Sequence, residues 1–352
     1  MLYYFYQWFG INLFHYITFR AIVAFFVAFF ITLFLFPKFI RWAKGKATQP
    51  IYDLAPQSHQ GKGKTPTMGG VIFLAGAVGA ILLTAKFSNF PVLLSLLTIG
   101  VFITIGILDD YGKIIANSNH GGLTPKGKFL FQWGGAFLIA GLLYFHNFST
   151  ELFVPFYKYP VLDLKWLAIP FWGFVIVASS NAVNLTDGLD GLATVPSIFA
   201  LFSLSILLYI TGNVVFSRYL FLPFQWEVGE VAIVAISLMG ALLGFLWYNA
   251  NPAEIFMGDS GSLTIGAIIG LFAILAKSEL LLLLIGFIFV IETLSVILQV
   301  GSYKTRKKRI FRMAPIHHHF EMLGWDENKI TIRFWIVALI TNILALLTLK
   351  LR

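Results

Sequence analysis

The chain has 352 residues, 58% of them hydrophobic and only 12% charged, a balance foreign to ordinary soluble domains. Its formal charge of +9 does not point to nucleic acid, because the basic residues sit in a few short segments between apolar runs, where membrane topology and lipid headgroups account for them. The absence of cysteine excludes disulfides and thiolate metal centres, so a metal would need oxygen or imidazole ligands.

Hydropathy predicts ten membrane spans, over residues 17–40, 69–86, 91–108, 128–146, 166–185, 191–212, 231–248, 260–276, 280–302 and 331–349. The first has no small-residue cleavage site and reads as a spanning helix, not a removable signal peptide. Seventeen of the 25 Lys and Arg residues lie on one side, in stretches around Lys38–Lys64, Lys113–Lys128 and Lys304–Arg333, which the positive-inside rule makes cytoplasmic. The expectation is an all-α integral membrane protein of about ten transmembrane helices, forming one polytopic domain over residues 1–352. Both termini are expected to be periplasmic and the active site to lie on the cytoplasmic face.

The first polar cluster on that side is Gln60-Gly-Lys62-Gly-Lys64-Thr65-Pro-Thr67-Met-Gly69-Gly70, which is either a plain basic loop or a stretch that orients phosphate. The third span is predicted to end in Gly106-Ile-Leu-Asp109-Asp110-Tyr-Gly-Lys113. Adjacent carboxylates repel, and a helix C-terminus disfavours anions by roughly 0.3–1 kcal/mol each. The pair is badly placed unless a cation or Lys113 compensates, and it is either a solvated helix end or an acid pair that recruits Mg²⁺ or takes a proton. Leu123-Thr-Pro-Lys126-Gly-Lys128 adds cations nearby.

Between spans 5 and 6, Asn181-Ala-Val-Asn184-Leu-Thr-Asp187-Gly-Leu-Asp190-Gly191 repeats polar groups every three residues, more than capping of the next helix requires. Before span 8, Asn249-Ala-Asn251-Pro-Ala-Glu-Ile-Phe256-Met-Gly258-Asp259 brings Asp259 to a helix N-terminus, where it either caps the helix or holds a metal beside an anion. Span 9 carries Glu292, Ser295, Gln299 and Ser302 at helical spacing, with Glu292 roughly 16 Å deep. That stripe makes either interhelical hydrogen bonds or the wall of a polar groove. In Pro315-Ile-His317-His318-His319-Phe-Glu321 the three imidazoles must point in different directions, a poor cage for one metal and a better set of phosphate contacts.

Carboxylates, cations and a membrane location suit transfer of a phosphate-linked group, since two phosphates approach each other only when their charge is neutralised. Taken together, Thr65-Pro-Thr-Met-Gly-Gly, Leu108-Asp-Asp, Asn181 to Gly191, Phe256-Met-Gly-Asp and Pro315 to Glu321 resemble the phospho-N-acetylmuramoyl-pentapeptide-transferase family of the polyprenyl-phosphate N-acetylhexosamine-1-phosphate transferase superfamily. The resemblance runs from about Arg20 to Arg352. It implies a Mg²⁺-dependent homodimer of the bacterial inner membrane that moves phospho-MurNAc-pentapeptide from UDP-MurNAc-pentapeptide to undecaprenyl phosphate, giving lipid I and UMP.

The same comparison implies Asp259 as metal ligand and Asp109, Asp110, Asp187 and His318 as catalytic groups. It implies Lys62, Thr67, Lys126, Asn184, Leu185, Gly188, Asp190, Asn249, Phe256, Gln299 and His317 as substrate contacts. The expected mechanism has Asp109 deprotonating or positioning the lipid phosphate, with Asp259 holding the ion beside departing UMP. Two rivals remain at this level: a secondary transporter built around Glu292, and a sibling enzyme that uses UDP-N-acetylglucosamine.

Overall fold

Apolar runs broken by Gly, Pro and polar turns fold into fourteen α-helices among the residues described by the structure, a computed structural model covering 1–47, 65–116, 118 and 121–351. In chain order they are α1 (Leu2–Phe9), α2 (Ile17–Ala43), α3 (Gly69–Thr84), α4 (Phe90–Ile115), α5 (Pro125–Phe145), α6 (Ala168–Thr186) and α7 (Thr194–Thr211). There follow α8 (Val214–Tyr219), α9 (Val231–Asn249), α10 (Asp259–Leu275), α11 (Leu282–Ile285), α12 (Phe287–Arg306), α13 (Ile316–Glu321) and α14 (Glu327–Leu347). The only strands among the described residues form a two-stranded antiparallel hairpin, β1 (Glu151–Leu152) and β2 (Leu162–Asp163).

Each predicted span coincides with a helix. Eight helices are long and apolar enough to cross a bilayer, and α3 and α10 are shorter apolar helices. Two boundaries differ from expectation. The third span does not stop at residue 108 but continues as α4 to Ile115, so Asp109 and Asp110 lie inside a helix. The ninth is divided at Gly286 into α11 and α12, and α12 continues to Arg306.

Helix α10 is the axis of the bundle, with every residue from Ser260 to Leu275 buried. At 17 residues it rises about 25 Å, and because protein surrounds it on all sides it need not match the bilayer. Small residues let neighbouring backbones approach it, as expected where lipid offers no hydrophobic drive for helix association. A Cβ on Gly106 of α4 would lie 2.3 Å from the Ser260 Cα, and one on Gly266 would lie 2.3 Å from the Ser179 carbonyl oxygen of α6.

The outer surface is apolar. Phe26, Phe30 and Phe34 stack one turn apart along an exposed face of α2, and Ile336, Ile340 and Ile343 are exposed on α14. In water such a coat would drive aggregation, whereas hydrocarbon solvates it. One charge between helices is firmly paired: Arg20 is fully buried and grips Glu230 with both terminal nitrogens, one of them at 2.9 Å, while also donating to the Thr84 carbonyl at 3.1 Å.

Candidate active site

The bundle brings the C-terminal ends of α4, α6 and α9 together with the N-terminal ends of α5, α7, α10 and α14. At the centre, Asp109, Asp110 and Asp259 each present an oxygen, and these oxygens all lie within 4.8 Å of one another. Like charges about 4 Å apart repel by about 4 kcal/mol at an effective dielectric of 20, so such a cluster requires cations. Two lysines supply them. Lys113, one helical turn beyond Asp109, lies 2.6 Å from Asp109 Oδ2 and 2.8 Å from Asp259 Oδ2. Lys128, from the first turn of α5, donates to the same Asp259 oxygen at 2.5 Å and reaches Asp109 at 3.4 Å.

The three carboxylates have distinct surroundings. Asp109 is 2% exposed and also accepts the Leu123 N–H at 2.9 Å. Asp110 is 1% exposed and accepts the N–H groups of Asp259 and Ser260 at 3.0 and 2.9 Å. It thereby caps α10 from a neighbouring helix. Gly258 is the N-cap residue by position and Asp259 the first residue of the helix, so Asp259 does not cap it. Instead, Asp259 Oδ1 accepts from Asn184 Nδ2 at 2.6 Å, and Asn184 also reaches Ser262 Oγ at 2.8 Å.

Hard oxygen donors in this number suit Mg²⁺. An orphaned group beside them points the same way: the Thr67 hydroxyl is buried next to Gly258 and has no hydrogen-bond partner among the described residues. A divalent ion held here would compete with the two ammonium groups for the same carboxylate oxygens.

Asp187 follows α6 as its C-cap residue. Burial pushes its carboxyl well above the usual carboxylate range, and the charges of Asp259, Asp110 and Asp190 push it the same way. The polar series that begins at Asn181 therefore divides. Asn181 pairs with Gln132 at 2.7 Å and Asn184 joins the cluster. Asp190 turns away to accept from Asn251 Nδ2 at 3.0 Å and Ala253 N at 3.1 Å.

Other candidates hold the loops around this centre. Asn249 Oδ1 accepts from Gly191 N and Thr194 Oγ1, and its Nδ2 donates to the Ile255 carbonyl, tying the turn before α7 to the segment before α10. Phe256 is half-buried, its N–H bonded to the Pro66 carbonyl and its own carbonyl to Gly69 N. Leu185 is half-buried as well. Gln299 Oε1 accepts from Ile310 and Phe311 N, and its Nε2 donates to the Phe311 carbonyl, so it braces the basic loop after α12. Ser302 adds a bond to the Lys308 carbonyl. The stripe on α12 thus serves its own loop more than a neighbouring helix.

The imidazoles diverge, as the sequence requires. His317 faces Glu292 and Gly188, His318 Nδ1 meets Glu321 at 2.6 Å, and His319 Nδ1 accepts from Arg312 N at 3.1 Å. Lys126 is exposed at the start of α5, and the cation that reaches the cluster is Lys128, two residues on. Lys62 lies outside the described residues. The two lysines of the cluster were missing from the sequence-derived set. Lys113 nevertheless compensates the acid pair as its position suggests, at i+4 spacing from Asp109 on the continued α4. Lys128 had no signal stronger than its place in a basic loop.

Residues 92–277 match the family model described as glycosyl transferase family 4, and residues 62–74 match phospho-N-acetylmuramoyl-pentapeptide-transferase signature 1. The chain is similar over its full length to proteins named phospho-N-acetylmuramoyl-pentapeptide-transferase. That of Nautilia profundicola is 66% identical over 352 residues, that of a Nitratiruptor species 62% over 354, and that of Campylobacter hominis 59% over 354, each alignment covering 100% of both chains.

Proposed function

The chain belongs to the phospho-N-acetylmuramoyl-pentapeptide-transferase family, and from that premise we propose that it transfers phospho-MurNAc-pentapeptide from UDP-MurNAc-pentapeptide to undecaprenyl phosphate. The products are lipid I and UMP, for peptidoglycan synthesis in the bacterial inner membrane. The observation that carries this reading is the meeting of Asp109, Asp110 and Asp259 with Lys113 and Lys128 at one end of the helices. That charge set answers the chief difficulty of the reaction, the approach of one phosphate to another.

We assign Mg²⁺ to Asp259, with Asp109 and Asp110 beside it; when bound, the ion would offset negative charge on the phosphates. The chain's own residues do the rest. Asp109 takes or orients the proton of the acceptor phosphate, and Lys113 and Lys128 supply positive charge on the same side. Asn184 fixes the Asp259 carboxylate. Asp187 and His318 complete the catalytic group, and Thr67, Lys126, Leu185, Gly188, Asp190, Asn249, Phe256, Gln299, His317 and Lys62 surround the donor. An apolar groove of 390 Å³ between α6 and α12, lined by Phe171, Val175, Ile269, Phe289 and Leu294, suits the polyprenyl tail.

The alternation of helix ends around the cluster supports ten spans in one domain over residues 1–352, with the site cytoplasmic and both termini periplasmic. The proposed active form is a homodimer. The test is to incubate the purified full-length chain with undecaprenyl phosphate, Mg²⁺ and each UDP-sugar in turn. UMP and a lipid product from UDP-MurNAc-pentapeptide, abolished by chelation, are expected. Product from UDP-N-acetylglucosamine instead, or uptake into sealed vesicles with no covalent product, would overturn the reading.

A further inference from the structure

We propose that Glu292 is a positioning residue for this site: acting through His317, it holds the Gly188 turn that carries Asp187 and Asp190. The proposal rests on the transferase reading above and adds to it a residue remote from the carboxylate cluster. A carboxylate deep in a span is expensive and is kept where it has a partner. Glu292 is 0% exposed and His317 1% exposed, with His317 Nδ1 at 3.1 Å from Glu292 Oε1. Neither the two carboxylate oxygens nor the two ring nitrogens are aligned for a hydrogen bond. The contact is therefore a close polar one, held by packing and not by an aligned hydrogen bond.

The opposite edge of the ring lies on Gly188. A Cβ at that position would come within 2.3 Å of His317 Nε2, so the imidazole fills the space any other side chain would need. His317 is thus a wedge between α12 and the turn that follows α6, with Glu292 as its backstop. The ends of the His317 loop are fastened elsewhere, by Gln299 at residues 310 and 311 and by the stacking of Phe320 on Trp325 at 4.7 Å. Glu292 restrains the middle. A turn that slipped by about 1 Å would move Asp187 relative to the cluster, enough to slow a reaction about 100-fold.

The test uses the full-length chain in lipid nanodiscs, with product formation and Tm measured on the same preparations. Glu292→Gln keeps the shape and a polar oxygen opposite Nδ1 and is expected to retain kcat/KM within about 10-fold of wild type. Glu292→Leu, similar in size but without an acceptor, is expected to lose about 100-fold with Tm within about 3 °C. A merely structural carboxylate would move Tm and activity together. Because Glu292 acts through His317, Glu292→Leu combined with His317→Asn is expected to match His317→Asn alone within about 2-fold. Wild-type kcat/KM in Glu292→Leu, losses that follow Tm, or additive losses in the double variant each overturn the proposal. A wild-type chain that forms no lipid product overturns the transferase reading itself, and this proposal with it.

Discussion

Asp110 of α4 caps α10, a helix that begins 149 residues later in the chain: its two oxygens accept the N–H groups of Asp259 and Ser260 at 3.0 and 2.9 Å. The N-terminus of α10 carries a partial positive charge that favours an anion, so one carboxylate of the cluster is anchored whether or not a metal is bound. An asparagine there has one acceptor where two are needed. Asp110→Asn is expected to lower stability by about 1–3 kcal/mol, in chelator as well as in Mg²⁺. Thermal unfolding under both conditions checks this. A variant that melts like wild type in chelator would confine Asp110 to the metal.

Lys113 and Lys128 share Asp259 Oδ2. Replacing Lys128 with Met leaves three carboxylates and one ammonium, so a divalent ion meets less competition. Calorimetric titration of Lys128→Met with Mg²⁺ is expected to show binding tightened several-fold while kcat falls about 10-fold or more. Unchanged or weaker binding would place the ion elsewhere.

The Arg20–Glu230 pair makes a prediction at a distance from the site. Both side chains are largely withdrawn from solvent, so Arg20→Met alone strands a buried carboxylate and is expected to cost about 3–5 kcal/mol. Arg20→Met with Glu230→Leu is expected to return to near wild-type stability. Denaturant unfolding of the three proteins checks the order, and KM for both substrates should be unchanged in the folded fraction.

Glu279, in the connection before α11, has its carboxyl pushed up from 4.5 to about 7, chiefly by burial and against the opposing pull of Lys277. The folded state thus holds this proton more tightly than the unfolded chain. Its contribution is full below pH 4.5 and is lost as pH rises through about 7, a span worth about 3 kcal/mol. Glu279→Gln is expected to match wild-type Tm at pH 5 and exceed it at pH 8. Parallel curves for the two proteins would contradict the shift.

The apolar helices were legible because lipid as solvent forces long apolar runs to satisfy their own backbone. The end of α4 was legible only in part, since hydropathy closes the span at residue 108 although the acid pair still reads as a helix end. Asp109, Asp110 and Lys113 remain helical because partners far along the chain neutralise them. Divergent imidazoles followed from residue spacing alone, whereas the meeting of His317 with Glu292 depends on how deeply a loop enters the bundle, which spacing does not encode. Asn249 and Gln299 stood out as polar groups, but the backbone atoms they hold are visible only in three dimensions. Helices α1 and α8, at 8 and 6 residues, fall below the length that a span-seeking window detects.

The central position of α10 also bears on biogenesis. Asp109 and Asp110 leave the ribosome well before Asp259, and until α10 arrives Asp110 lacks the helix N-terminus it caps, while Asp109 already has Lys113 and Lys128 as partners. A nascent chain arrested before that helix would leave Asp110 without its two backbone donors and would expose the small-residue faces meant for α10. Completion of α10 is therefore the step at which the earlier helices gain the partner that their small residues are shaped to receive.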